Sequence, residues 1–390
     1  VPSADRIPKN PRTVSPHAPA GAAYLGELES VAAAAGLDRI GVAPATPLTR
    51  AREQMAERVS AGLVNGMKFT YHKPMRSTAP SSLVPDARSV IVGVRSYDIA
   101  PTDDVTTDPA GGGNPRARVA RYAWVDHYAL LKSSLKHVAG RLRADGHRAV
   151  VFADDNSIVD REVAWLAGIG WYGKNANILV PGAGSFFVIG CIVTTADLPV
   201  ATIVDDGCGT CTRCIPACPT GAIPAPGVID ANRCLSWLLQ KPGVFPPEFR
   251  EALHDRIYGC DDCQTACPFT RRRSPAEAAA PTESTVDILG MLSCDDATVM
   301  ERVDRWYVHD RDATWVRRNL LVNLGNVADP TDPRVVAALR DALQDGRPVI
   351  RAHAVWAAAR LGLRGLLPQD DPDGMVRDEL SRLPALRDDL

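Results

Sequence analysis

Residues 208–219 read Cys-Gly-Thr-Cys-Thr-Arg-Cys-Ile-Pro-Ala-Cys-Pro, a run of Cys208-x2-Cys211-x2-Cys214-x3-Cys218-Pro219. Thiolates this close in sequence can converge without long-range chain closure, and this is the spacing with which one loop wraps a cubane 4Fe–4S cluster. Further on, Cys260-x2-Cys263-x3-Cys267-Pro268 repeats the run without its first cysteine. Cys234, in Arg-Cys-Leu-Ser-Trp between the two runs, is the candidate that completes it. Eight thiolates are enough for two clusters, so the chain is expected to move single electrons.

Where two clusters share this spacing, the cysteine before proline ligates the other cluster. That rule assigns Cys208, Cys211, Cys214 and Cys267 to one cluster and Cys218, Cys234, Cys260 and Cys263 to the second. Structural zinc also uses Cys-x2-Cys pairs, but four cysteines in one run ending in Cys-Pro are awkward for a tetrahedral site. Disulfides need an oxidising compartment, and nothing in residues 1–20 reads as an export signal. Cys191 and Cys294 lie outside the pattern and read as ordinary buried thiols.

Around this core of cysteines, 390 residues leave room for two or three domains, and 45% hydrophobic with 23% charged residues is a soluble globular composition. Residues 1–20 are rich in proline and polar residues and are expected to be a disordered lead-in; Val1 in place of Met suggests a processed start. No run of about 18 or more apolar residues predicts a membrane span, which makes the cytoplasm the default location. A net charge of −2 does not advertise nucleic acid. Charge is uneven, however: Arg271-Arg272-Arg273 follow the second cysteine run, with Arg302, Arg305, Arg311, Arg317 and Arg318 beyond. Such a series is either a solvated face or a surface that contacts phosphates.

Helices expected over 24–36, 51–62 and 127–144 alternate with short apolar strands at Ile40–Ala45, Val90–Val94, Ala149–Phe152 and Phe186–Val193. That alternation indicates an α/β domain over residues 21–200, followed by a two-cluster bacterial ferredoxin-like domain over 201–275. Residues 101–116 read as a loop, and beyond about residue 284 strand signals vanish. Helices over 315–326, ending in a Gly-Asn stop, 333–345 and 349–361 suggest α-helical repeats of HEAT type over 284–390, an architecture that offers a concave binding surface.

Residues 152–177, FADDNSIVDREVAWLAGIGWYGKNAN, carry a resemblance. With the two cysteine runs and WVRRNLLVNLGN in the tail, they make the chain similar to the epoxyqueuosine reductase family, over most of residues 24–361. The resemblance implies reduction of epoxyqueuosine to queuosine in tRNA by a cobalamin-dependent enzyme with two 4Fe–4S clusters. It implies cobalamin bound base-off, contacts to it from Arg76, Asp154, Gly173, Lys174 and Asn175, and Asp154 as proton donor. The partners it implies are a tRNA anticodon stem-loop and an external one-electron donor such as flavodoxin or ferredoxin; the chain is expected to be a monomer.

The residues make chemical sense of this. Asp154 ends an apolar strand that should deliver its carboxylate to the sheet edge, where desolvation by a corrin would raise its pKa and let it act as an acid. Asp154 also reads as a turn or cap residue. Asp160 and Arg161 suggest an ion pair or a positioning pair. Gly168, Gly170 and Gly173 permit either close approach of a flat cofactor or a tight helix-to-strand connection. Lys174 and Asn175 are candidates to bond cofactor amides.

Departures from the family pattern fall at Asp126-His127-Tyr128, where His127 stands at the usual Asp position, at Leu238-Leu239-Gln240, and at Asp155-Asn156. All are expected near substrate or corrin. Two other readings stay open: a reductive dehalogenase-like corrinoid enzyme acting on another substrate, and a ferredoxin-like electron carrier. The carrier leaves the α/β domain without a task.

Overall fold

The computed structural model describes residues 21–102, 113–271 and 274–383. The expected disorder of residues 1–20, most of the loop at 101–116, Arg272, Arg273 and residues 384–390 lie outside them.

A four-stranded sheet forms the first layer, in the order Arg39–Pro44, Ser89–Ser96, Phe187–Thr194, Ala149–Ala153. All three neighbouring pairs run antiparallel. The predicted helices and strands are present, but the rule that places ligands at the carboxyl ends of parallel strands does not apply. Every residue of Phe187–Thr194 is buried, which explains its unbroken apolar run: side chains alternate between two covered faces. Phe187, Ile189, Cys191 and Val193 face the layer built with the helices Thr49–Ser60 and Asp160–Leu166. Val188 and Ile192 face Ala22–Ala34 and His127–Ala144. A Cβ on Gly190 would stand 2.7 Å from Leu135 and 2.9 Å from Ala153, so this glycine lets the helix lie flush on the sheet. Cys191 is fully buried, whereas Cys294 is half-buried and donates to the carbonyl oxygen of Gly290 at 3.1 Å.

A second sheet orders Arg256–Tyr258, Arg116–Val119 and Thr285–Asp287, with the middle strand parallel to the first and antiparallel to the last. It takes one strand from each of the three segments expected as domains. The sequence pattern predicts none of these strands, and Thr285–Asp287 falls where strand signals vanish. Three or four residues are too few to show alternation; pairing across the fold makes them strands.

In the tail, Thr314–Val327 packs against Pro348–Arg360, flanked by Pro333–Ala342 and Gly374–Arg382. Gly325-Asn326, which read as a stop, lie inside the first of these helices. Gly325 is there for contact: a Cβ would meet the Trp356 ring at 2.8 Å and the Ala357 Cα at 2.9 Å. Arg250 and Glu379 form a bidentate pair (2.6 and 3.0 Å) buried between the cysteine segment and the tail.

Several of the tail arginines are held by the protein itself. Arg318 is fully buried and donates to the carbonyl oxygens of Lys241 at 2.6 Å, Gly243 at 2.8 Å and Leu238 at 3.1 Å. Arg317 pairs with Asp296 at 2.6 Å and bonds the Cys294 carbonyl, while Arg305 pairs with Glu283. Arg311 is spent on the main chain, donating to the carbonyl oxygens of Met300 and Asp304. Arg302 makes a contact to the Met291 sulfur.

Candidate redox and substrate site

The cysteines sit on tight turns. Within the first run the Cys211 N–H donates to the Cys208 carbonyl at 3.0 Å and the Cys218 N–H to that of Ile215 at 3.2 Å. Cys234 precedes the short helix Leu235–Leu238, whose Trp237 and Leu238 N–H groups both bond its carbonyl oxygen. Gly259 turns the chain into Cys260 at φ +72, and a Cβ there would strike Ala120 at 2.5 Å.

Two sets of thiols emerge. Burial pushes the Cys214 thiol up, and its neighbours Cys208, Cys267 and Cys211 push it further. Burial likewise raises Cys263, with Cys234, Cys218 and then Cys214 adding to it. Cys260 is raised by burial and by Asp262, with Cys263 beside it. Cys214 thus has Cys208, Cys211 and Cys267 as neighbours, and Cys263 has Cys234 and Cys218, with Cys214 and Cys263 next to each other between the groups.

Eight thiols held on tight turns are the donor set that two 4Fe–4S clusters would need. A further observation supports the fit: Trp171 is buried against Cys267 and beside Cys208, and its Nε1–H has no partner among the described residues. A cluster sulfur is a natural acceptor for it.

Asp154 follows the edge strand Ala149–Ala153 and is exposed, at φ +52. Aspartate tolerates the left-handed region better than most residues, so the turn aims a carboxylate outward at small cost. The turn role falls to its neighbour: Asp155 Oδ1 accepts the Ser157 N–H at 2.7 Å. The Asp154 carboxylate has no hydrogen bond or ion pair among the described residues. Electrostatically it acts on Tyr128 and Tyr258, both raised chiefly by burial, and on Asp160, also raised chiefly by burial. Asp160 and Arg161 form no direct ion pair; Arg161 N–H bonds Asp160 Oδ1 at 2.7 Å, and the guanidinium is felt as far as Cys234.

Three of the expected cofactor contacts, Gly173, Lys174 and Asn175, make contacts within the protein. The space beside Gly173 is filled by Leu179, which a Cβ there would meet at 2.4 Å, and that beside Gly170 by the Leu179 carbonyl. Gly168, at φ +65, makes the tight connection. Lys174 Nζ donates to the Gly209 carbonyl at 2.7 Å, and Asn175 Nδ2 to that of Cys263 at 3.3 Å. Both side chains fasten the sheet domain to the cysteine loops. Arg76 is exposed on the helix Pro74–Ser77, whose Ser77 carbonyl accepts the Val159 N–H and so holds Arg76 beside the Asp154 loop. Arg76 and Asp154, the other two expected contacts, have no side-chain hydrogen bond or ion pair among the described residues.

The departures from the family pattern have structural work instead. Asp126 caps the helix His127–Ala144 through Ala129 N–H at 2.8 Å. His127 is buried against Tyr97 and pushed down to about 4, chiefly by burial and then by Arg95. Leu238 and Leu239 pack with Phe245, Leu253 and Val322.

An antiparallel-sheet domain wired through two thiol sets defines the class: an iron–sulfur oxidoreductase. The family model described as 4Fe-4S double cluster binding domain matches residues 207–270, and the one described as Epoxyqueuosine reductase QueG, DUF1730 matches 77–155. The epoxyqueuosine reductase of Xanthomonas campestris pv. campestris is 34% identical over 351 residues, covering 86% of this chain and 96% of its own. That of Burkholderia pseudomallei is 33% identical, covering 83% and 88%. A solved epoxyqueuosine reductase with an epoxyqueuosine-modified tRNA-Tyr stem loop superposes with a TM-score of 0.83 at 27% identity, over 92% of this chain and 97% of that one. The Bacillus subtilis enzyme, described with its catalytic aspartate loop swung out of the active site, gives 0.82 at 26% over the same shares. The chain belongs to the epoxyqueuosine reductase family.

Proposed function

We propose that this protein reduces epoxyqueuosine to queuosine in tRNA, taking two electrons and two protons per epoxide and releasing the oxygen as water. The observation that carries the mechanism is the free, outward carboxylate of Asp154 at the turn that ends the edge strand. Cys208, Cys211, Cys214 and Cys267 would hold one 4Fe–4S cluster and Cys218, Cys234, Cys260 and Cys263 the other. Base-off cobalamin, when bound, supplies low-valent cobalt chemistry at the epoxide-bearing ring, with Arg76 and Asp154 facing it. Asp154 delivers a proton to the departing oxygen, and the buried Tyr128 phenol keeps its own proton. Lys174 and Asn175 keep the cysteine loops in register with the sheet.

The divisions at 21–200, 201–275 and 284–390, and a HEAT-like tail, describe the parts. A one-electron donor such as flavodoxin or ferredoxin would feed the clusters of a monomer working in the cytoplasm, in keeping with the absence of any described helix long and apolar enough to cross a membrane. Mass spectrometry of tRNA from a deletion strain tests the assignment: epoxyqueuosine accumulates if it holds, and normal queuosine overturns it.

A further inference from the structure

Two aromatic side chains from distant segments meet at the surface beside this site. The Phe69 ring lies 5.2 Å from that of Tyr307 and, edge-on, 5.7 Å from that of Trp237. Phe69 holds φ +23, a backbone conformation rare for a bulky residue, and Tyr307 is 45% exposed.

Tyr307 is rigidly mounted. Its N–H donates to Tyr258 Oη at 2.8 Å, and the adjacent Trp306 stacks on the Tyr258 ring at 4.5 Å with 8° between the planes. Arg311 ties the same loop through the carbonyl oxygen of Trp306 at 3.3 Å. Thr70, next to Phe69, is tied through Ser77 to the segment after Asp154: Ser77 Oγ donates to the Thr70 carbonyl oxygen at 2.9 Å and the Ser77 carbonyl accepts the Val159 N–H at 3.0 Å, so the aromatic step stands near the reacting end of the site.

The Phe69 side of the step is positively charged. Lys68 and Lys73 flank Phe69, both are exposed, and neither pairs with a carboxylate among the described residues. The arginine on the other side, Arg305, is neutralised by Glu283. A fixed, exposed aromatic ring beside unneutralised cations is how proteins grip unpaired bases together with their phosphates.

We propose that Tyr307, backed by Phe69, is a stacking platform for an unpaired nucleobase next to the reacting nucleoside, with Lys68 and Lys73 on the flanking phosphates. The inference rests on the tRNA reading above and extends recognition to the unmodified neighbours in the loop.

The test is the affinity of cluster-loaded protein for two hairpins, the anticodon stem-loop with epoxyqueuosine and the same hairpin with guanosine in its place, by fluorescence anisotropy. Tyr307→Ala should weaken both by about 5–150-fold, with Tyr307→Phe close to wild type. Lys68→Ala with Lys73→Ala should flatten the log–log salt dependence by about 0.7 per lost phosphate contact. Iron content and melting temperature of each variant report folding. Unchanged hairpin affinity in Tyr307→Ala, or equal loss in Tyr307→Phe, overturns the platform, as does a Tyr307→Ala defect confined to reduction by a protein electron donor. Should wild-type protein reduce no epoxyqueuosine, the functional reading fails, while the hairpin affinities still decide the platform.

Discussion

The Phe245 N–H donates to His353 Nε2 at 3.0 Å, and on the other side of the ring Nδ1 lies 2.6 Å from the Val349 carbonyl oxygen. One nitrogen must accept and the other donate, so the imidazole is neutral and its tautomer is fixed. Burial, then Arg250, holds its pKa well below the usual value, with Arg318 adding to the effect.

Acid sensitivity follows from that neutrality. The unfolded chain protonates His353 near its ordinary pKa while the folded chain refuses the proton, so stability is full above about pH 6.5 and falls below it, by about 1.4 kcal/mol per pH unit. His127 acts in the same direction until about pH 4. Urea denaturation between about pH 5 and 7.5 should show this decline, and His353→Gln should flatten its share. An unchanged slope would show that His353 already titrates normally in the folded state.

Asp154→Asn should fold, load clusters and bind corrinoid as the wild type does, since asparagine also tolerates positive φ. Without the transferable proton, single-turnover reduction should slow by about 10²–10⁴. Near-normal turnover would remove the role, and neither Asp126, which caps a helix, nor buried neutral His127 is placed to assume it.

Cys234→Ala should damage one cluster and spare the other, because Cys234 neighbours Cys218 and Cys263, not the Cys208 set. Iron analysis and electron paramagnetic resonance of the reduced protein should show one cluster signal remaining. Loss of both signals, or of neither, contradicts the division.

Trp171→Phe keeps the ring and removes the N–H. If that N–H bonds a sulfur of the Cys208 set, its loss should lower the reduction potential of that cluster alone, because hydrogen bonds to sulfur favour the reduced, more negative state. A redox titration followed by paramagnetic resonance reads this directly; coincident midpoints for both proteins would mean the indole points elsewhere.

Glu379→Ala leaves Arg250 charged and unpaired in the interior. Breaking such a buried pair costs about 3–5 kcal/mol, and chemical denaturation should find a loss of that order. A loss under about 1 kcal/mol would mean that water reaches the guanidinium.

The cysteine spacing is a local property and could be read directly, whereas the strand end at Asp154 left a turn residue equally open and only the family resemblance singled it out as the proton donor. Partners distant in sequence left no such trace. Arg318 looks like surface charge until the carbonyls of residues 238–243 are folded around it. Nothing local to Lys174 and Asn175 shows that they bond the carbonyl oxygens of Gly209 and Cys263. Gly325 reads as a helix stop because the neighbour that requires its missing side chain, Trp356, lies on another helix.

The small sheet that joins Arg116–Val119, Arg256–Tyr258 and Thr285–Asp287 has a consequence for biosynthesis. Its middle strand must wait for both partners, which emerge from the ribosome much later, and closing such long loops is entropically costly and slow. Until Thr285–Asp287 has been translated, the cysteine segment is anchored on one side only. The small sheet is therefore complete only once residue 287 of 390 has emerged, and iron delivered before that point would meet a cysteine segment lacking one of its supports.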